Sequence, residues 1–231
     1  MISSSSCTRL ALSLCLLALL SACAGKPVPD WQMNAKTSME RATAAYLEGN
    51  VRAETQEFKL ARSEISRTGR ADLMARLELT RCASRLASLV IEECEGFEKL
   101  RADAPAPERA YADYLAGKIK PQDIPLLPSQ HRTVVAESSD PGAAAALQSI
   151  EDPLAQLVAA GVLFRSDRAT PAVLKLAVDT ASAQGWRRPL LAWLGVQLLR
   201  AEKAGDAVEA ERLHRRIALV ENAAITAPGQ P

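Results

Sequence analysis

The chain has 231 residues, 48% of them hydrophobic and 24% charged, with 28 Lys+Arg against 27 Asp+Glu. It is long enough to bury a real core, too apolar for intrinsic disorder, and too nearly neutral to steer towards nucleic acid or acidic lipid by a long-range field. Two His, three Phe, three Tyr and three Trp leave few of the usual catalytic or stacking groups.

Residues 1–22 read as a targeting segment. Arg9 is followed by the apolar run LALSLCLLALL over residues 10–20, which is too short to span a bilayer and matches a secretory signal in length. Leu20-Ser21-Ala22-Cys23 then resembles the lipobox of bacterial lipoproteins. The resemblance implies cleavage before Cys23 and a diacylglycerol on its sulfur, and therefore a membrane partner held through that lipid. The alternative is an ordinary cleaved signal, with Cys23 a plain thiol. In the lipoprotein family an acidic residue after the cysteine tends to retain the protein at the inner membrane. Ala24 stands there, which implies the outer membrane, facing the periplasm. Two or three acyl chains, at about 0.8 kcal/mol per buried methylene, anchor stably where one does not. Residues 23–30 form a Pro-containing tether with roughly 20 Å of reach in extended geometry.

From Asp30 the punctuation is helical, and the expected fold class is all-α, built of antiparallel helical hairpins with roughly ten helices. Asp30 is expected to cap a helix from Trp31, with Ala35, Met39, Ala42 and Tyr46 as its apolar stripe and Gly49 closing it. Asn50 caps a second helix carrying Val51, Phe58, Ala61 and Ile65, with Gly69 past its end. A third starts near Ala71 with the stripe Leu79, Cys82, Leu86 and Leu89. Asp140-Pro141, Asp152-Pro153 and Thr170-Pro171 each read as a capping residue before a first-turn proline. A last hairpin pairs a helix over residues 189–203 with one running from Asp206 to about Asn222. Gly205 lies between them, and Asp206 with Glu209 forms a capping box. Val134-Val135 and Val162-Leu163-Phe164 are too short for strands.

The proline-rich stretch 118–128 reads as a linker between an N-terminal helical unit, 31–117, and a C-terminal one, 129–222; residues 223–231 read as a tail. The hairpins are similar in part to tetratricopeptide repeats. Phe58 and Ala61 follow Gly49 at the repeat's spacing, and Ala210 follows Gly205. Glu54, His214 and Ile217 depart from the pattern, so generic antiparallel pairs fit as well.

Once the leader is removed and Cys23 is lipidated, Cys82 and Cys94 are the remaining pair in an oxidising compartment, and a disulfide is expected. On one straight helix their Cα atoms would stand about 18 Å apart against a limit of about 7 Å, so the bridge requires the helix to end between them. Two buried free thiols are the alternative.

No zinc, serine-hydrolase or phosphate-loop motif is present, and no cofactor or metal is expected. His131 and His214 read as structural or solvated. Ala136-Glu137-Ser138-Ser139, followed by Gly142-Ala143 and Leu147-Gln148, is similar to the opening of lytic transglycosylase domains, a resemblance that would make Glu137 the general acid. The alternative is a helix end at Glu137. Trp186-Arg187-Arg188 is a candidate partner contact by composition, or a Trp stapling the following helix. The expectation is a non-enzymatic, lipid-anchored scaffold for another envelope protein; the alternative is a peptidoglycan-active or peptidoglycan-binding accessory.

Overall fold

The computed structural model describes residues 28–225, with side chains through residue 222. The leader, Cys23, most of the tether and the end of the tail lie outside the described residues. Eleven α-helices and a 3-10 helix follow one another, and no strand occurs among the described residues. They are α1 (Asp30–Glu48), α2 (Val51–Ser66), α3 (Ala71–Ala87), α4 (Glu95–Glu98), α5 (Ala106–Leu115), the 3-10 helix (Pro121–Leu126), α6 (Ser129–Ala136), α7 (Asp140–Gln148), α8 (Pro153–Arg165), α9 (Pro171–Ala183), α10 (Arg187–Ala204) and α11 (Ala207–Ile225).

α1 and α2 form the first hairpin. Gly49 takes φ +87°, which lets the backbone N–H groups of Gly49 and Asn50 fold back onto Tyr46 and Ala45 carbonyls at 3.0 and 2.8 Å. The Asn50 side chain then accepts from Ala53 N at 3.0 Å and starts α2. Asp30 is not the cap expected of it. It lies inside the first turn, after Pro29, where its charge meets the helix dipole. Val51, expected inside, is exposed.

Asp152 and Thr170 cap α8 and α9 through Ala155 N and Val173 N. At α7 the cap is Ser139, whose hydroxyl accepts from Gly142 N at 3.2 Å; Asp140 is one residue inside and pairs with Arg168. α10 begins at Arg187, two residues before the expected Pro189. At α11, Asp206 accepts from Glu209 N at 3.0 Å, but the Glu209 carboxylate turns to Arg212, so only half of the capping box forms.

α8 is the centre of the molecule. Every residue from Ala155 to Leu163 is buried, and α8 packs against α3, α5, α6, α7 and α9. Such a helix is apolar all round and has no stripe. Its one buried amide is satisfied on every side: Gln156 donates to Leu147 and Ile150 carbonyls at 3.1 and 3.2 Å and accepts from the Thr180 hydroxyl. Gly161 passes so near α3 that a Cβ there would stand 2.6 Å from the Leu86 carbonyl oxygen.

One hydrophobic cluster runs from Ala75 to Leu213, and it includes residues on both sides of the expected linker. The segment 118–128 is itself folded. It carries the 3-10 helix, packs on α5 and α6, and buries Leu127 to 1% exposure. Residues 31–117 and 129–222 thus share a core and are not separate units. A smaller cluster, including Ala35, Ile65 and Leu77, closes the base of the first hairpin on α3.

Candidate functional site

α3 ends at Ala87, and Leu89 then takes φ +58°. That left-handed residue lets Leu89 N and Val90 N bond back to Leu86 and Arg85 carbonyls at 2.9 and 3.0 Å, reversing the chain. A leucine in this conformation costs on the order of 1 kcal/mol, so its surroundings must hold it there. Three contacts do. The Trp193 indole N–H, from α10, donates to the Ala87 carbonyl at 3.0 Å; Arg85 pairs with Glu92; and Cys94 is joined to Cys82 by a disulfide with Cα atoms 5.9 Å apart. The helix stops before Glu92, as a bridge between these two cysteines requires.

Beside the disulfide opens a cleft of about 360 Å³ between the 90–94 loop, α4, α5 and the end of α8. Arg101 lies along it. Its guanidinium donates to Glu98 at 2.7 and 2.8 Å and to Asp113 at 3.0 Å, and it sits 5.1 Å from the centre of the Phe97 ring. These bonds hold the Arg101 guanidinium well above its usual range, despite some opposing desolvation, and hold the Glu98 carboxyl below the carboxylate range. Glu92, Glu93, Lys118 and Arg165 complete the charged lining. The cleft carries no histidine or hydroxyl nucleophile, its cysteines are bridged, and Arg101 is already held by two acids. This arrangement can grip a charged group.

The other candidate residues are dispersed. Cys23 lies outside the described residues. Trp186 is half-buried against the main core. Arg188 reaches back to the first hairpin, donating through Nε to the Tyr46 carbonyl at 2.8 Å with its guanidinium 4.4 Å from the centre of the Tyr46 ring. Arg187 lies against Gly49, where a Cβ would stand 2.8 Å from its Nη2. Arg187 and Arg188 thus join α10 to the α1–α2 turn, while Trp186 packs on the main core.

Glu137 follows the last residue of α6, and its carboxylate folds over Gly142 in the first turn of α7. That is the place a helix dipole favours a carboxylate. His214 is exposed and meets Glu202 at 3.5 Å. His131, read as solvated or structural, is buried to 2% exposure. Its Nδ1 bonds the Tyr114 hydroxyl at 3.1 Å, in a ring cluster with Tyr111. Burial pushes the His131 imidazole down to about 4 and both tyrosines up. Arg81 and Arg85, one turn apart on α3, divide. Arg85 meets Glu92, whereas Arg81 turns to the buried Glu54 at 3.2 Å and stacks on Phe58.

The Glu98–Arg101–Asp113 bridge and the Trp193 bond were not anticipated. Glu98 and Arg101, three residues apart, carry a visible helical signal; Asp113, twelve further on, carries none. Among the described residues no group of three or more His, Cys, Asp or Glu could hold a metal, and no helix is long and apolar enough to cross a membrane. No family model, no curated protein and no solved structure matches the chain.

Proposed function

We propose that this protein is a lipid-anchored lipoprotein of the cell envelope, attached through Cys23, exposed to the periplasm at the outer membrane, and serving as a non-enzymatic helical scaffold for another envelope protein. The observation that carries the reading is the lipobox Leu20-Ser21-Ala22-Cys23 behind an apolar run. The Cys82–Cys94 disulfide supports it independently, because such bridges persist in oxidising compartments. Glu92, Glu98, Arg101 and Asp113 of the cleft are held in ion pairs, and fixed charges of this kind suit recognition of a charged group. Glu137, on which the transglycosylase resemblance depends, is turned onto α7. The tetratricopeptide likeness adds only that helical hairpins commonly present binding faces.

The test is fractionation with and without the anchor. Cys23→Ala should abolish metabolic labelling with palmitate and release the protein from washed outer membranes, with an unchanged helical circular dichroism spectrum. Recovery of the variant in those membranes overturns the anchor. Crosslinking in intact cells, followed by capture of the wild-type protein, should yield a stable envelope partner. Release of soluble fragments from purified glycan strands by the isolated protein overturns the non-enzymatic part.

A further inference from the structure

α1, α2 and α3 converge at the beginning of the described chain on a groove of about 170 Å³. Its walls are apolar: Trp31, Ala35 and Met39 from α1, Ile65 from α2, Leu73 and Leu77 from α3. Apart from Gln32, the polar side chains that line it are three cations, Lys36, Arg70 and Arg76; among the described residues no carboxylate lines it. Arg70 donates through Nε and Nη2 to Asp72, at 3.2 and 2.6 Å, and Arg76 does the same to Glu108, again at 3.2 and 2.6 Å. These bonds fix both guanidinium groups at the rim without using Nη1. Lys36 is exposed and meets Glu40 only at 3.8 Å.

The size of the groove selects its occupant. An aliphatic-walled cavity of about 150 Å³ admits benzene, so this one accepts about six carbons. A helix from another protein needs several side-chain pockets in a row, which a trough of this volume does not supply. The combination of one short apolar trough and a rim of three donors matches an alkyl chain that begins at an anion. The position matches as well. Trp31 follows Cys23 by eight residues, which span at most about 29 Å even fully extended, so a lipid on Cys23 keeps the groove near a bilayer.

We infer that the groove receives the first carbons of one acyl chain of a membrane phospholipid with an anionic headgroup. The chain lies against Trp31, Leu73 and Leu77, and the phosphate meets Lys36 and the free Nη1 groups of Arg70 and Arg76. The location at a membrane rests on the lipid-anchor reading above; the chemistry of the groove does not.

The test uses the protein carrying Cys23→Ser, so that no covalent lipid competes. It is titrated with dihexanoyl phosphatidylglycerol below its micelle concentration while the amide and indole N–H resonances are followed by NMR. The expected result is a saturable shift of the Trp31 indole and of residues 31–39. Affinity should be about tenfold weaker for dihexanoyl phosphatidylcholine, with no saturable shift for inorganic phosphate. Equal affinity for the two phospholipids overturns the anionic assignment, and phosphate alone binding as tightly overturns the acyl one. Leu73→Trp, which fills the trough at a half-exposed position, should remove the shift while keeping the helical melt; Met39→Trp serves if that variant does not fold. A shift that persists in a folded filled variant overturns the site. Palmitate labelling of the wild type separates the two readings: labelled Cys23 with no shift at Trp31 removes the groove alone, and a shift without labelling removes the anchor alone.

Discussion

His131 is a titratable group buried to 2% exposure. Its imidazole titrates near 6.5 when unfolded and is pushed to about 4 in the folded protein, so the unfolded chain binds the extra proton first. Stability contributed by the neutral ring is therefore complete above about pH 6.5 and lost as pH falls towards 4, by about 3 kcal/mol across that window. Denaturant titrations at pH 7 and pH 4.5 should show the fall. His131→Phe should flatten that acid limb while costing about 1 to 3 kcal/mol at neutral pH, because the Tyr114 hydroxyl then loses its partner, and the difference from wild type should shrink as pH falls; an unchanged slope in the variant would assign the acid sensitivity to other groups. Gly161 makes a second residue-scale case. Alanine is the better helix former by about 1 kcal/mol, yet the Leu86 carbonyl that a Cβ would meet belongs to backbone and cannot swing aside. Gly161→Ala should lower the melting temperature by several degrees, whereas the same change at Gly195, where nothing stands within 4 Å, should not.

At the scale of elements, the reversal after α3 depends on the disulfide more than on local propensity. Ser88 to Glu93 forms no helix or strand, and Leu89 is held in a conformation that leucine disfavours. Opening a loop of this length costs about 3 kcal/mol in the chain-entropy account, which is roughly 6 to 12 °C for a protein of this size. Reduction, or Cys82→Ser with Cys94→Ser, should produce that loss, and amide exchange should accelerate first in residues 88–94. Thiol labelling of the unreduced, denatured protein should find neither cysteine reactive. The requirement for a break in the helix was legible from the spacing of Cys82 and Cys94 alone, because the α-helical rise is fixed. Caps were legible where a side chain has only one use, as at Asn50, Asp152 and Thr170. They misled where two candidates adjoin: Ser139 precedes Asp140, and the shorter hydroxyl took the position. α8 was illegible as the core because a helix apolar on every side shows no period. The stretch 118–128 read as a linker because proline obscures periodicity, although Leu127 is among the most buried side chains. At the candidate cleft the cysteines announced themselves; Asp113 on α5, which completes the bridge to Arg101, left no trace in local spacing.

On the scale of the whole molecule, the first hairpin is tied to the far end of the chain through Arg188, 142 residues from its partner Tyr46. Arg188→Ala removes a hydrogen bond to a carbonyl and a cation stacked on a ring, each worth on the order of 1 kcal/mol. Hydrogen exchange should then quicken across α1 and α2 while α8 keeps its protection. Uniform acceleration throughout would show that the hairpin and the core open as one unit.

The central position of α8 has a consequence for the order in which the chain can mature. α3 meets α8 where Leu86 lies against Gly161, and α8 begins only at Pro153, so that side of α3 lacks its partner while the first half of the polypeptide emerges from any channel. The cysteine pair, twelve residues apart, can meet without that partner. Covalent closure therefore does not need to wait for the core, and the later arrival of α8 meets a turn already formed. A chain halted before Pro153 should accordingly remain open to protease even when its cysteines are oxidised, and it should become resistant only once α8 is supplied.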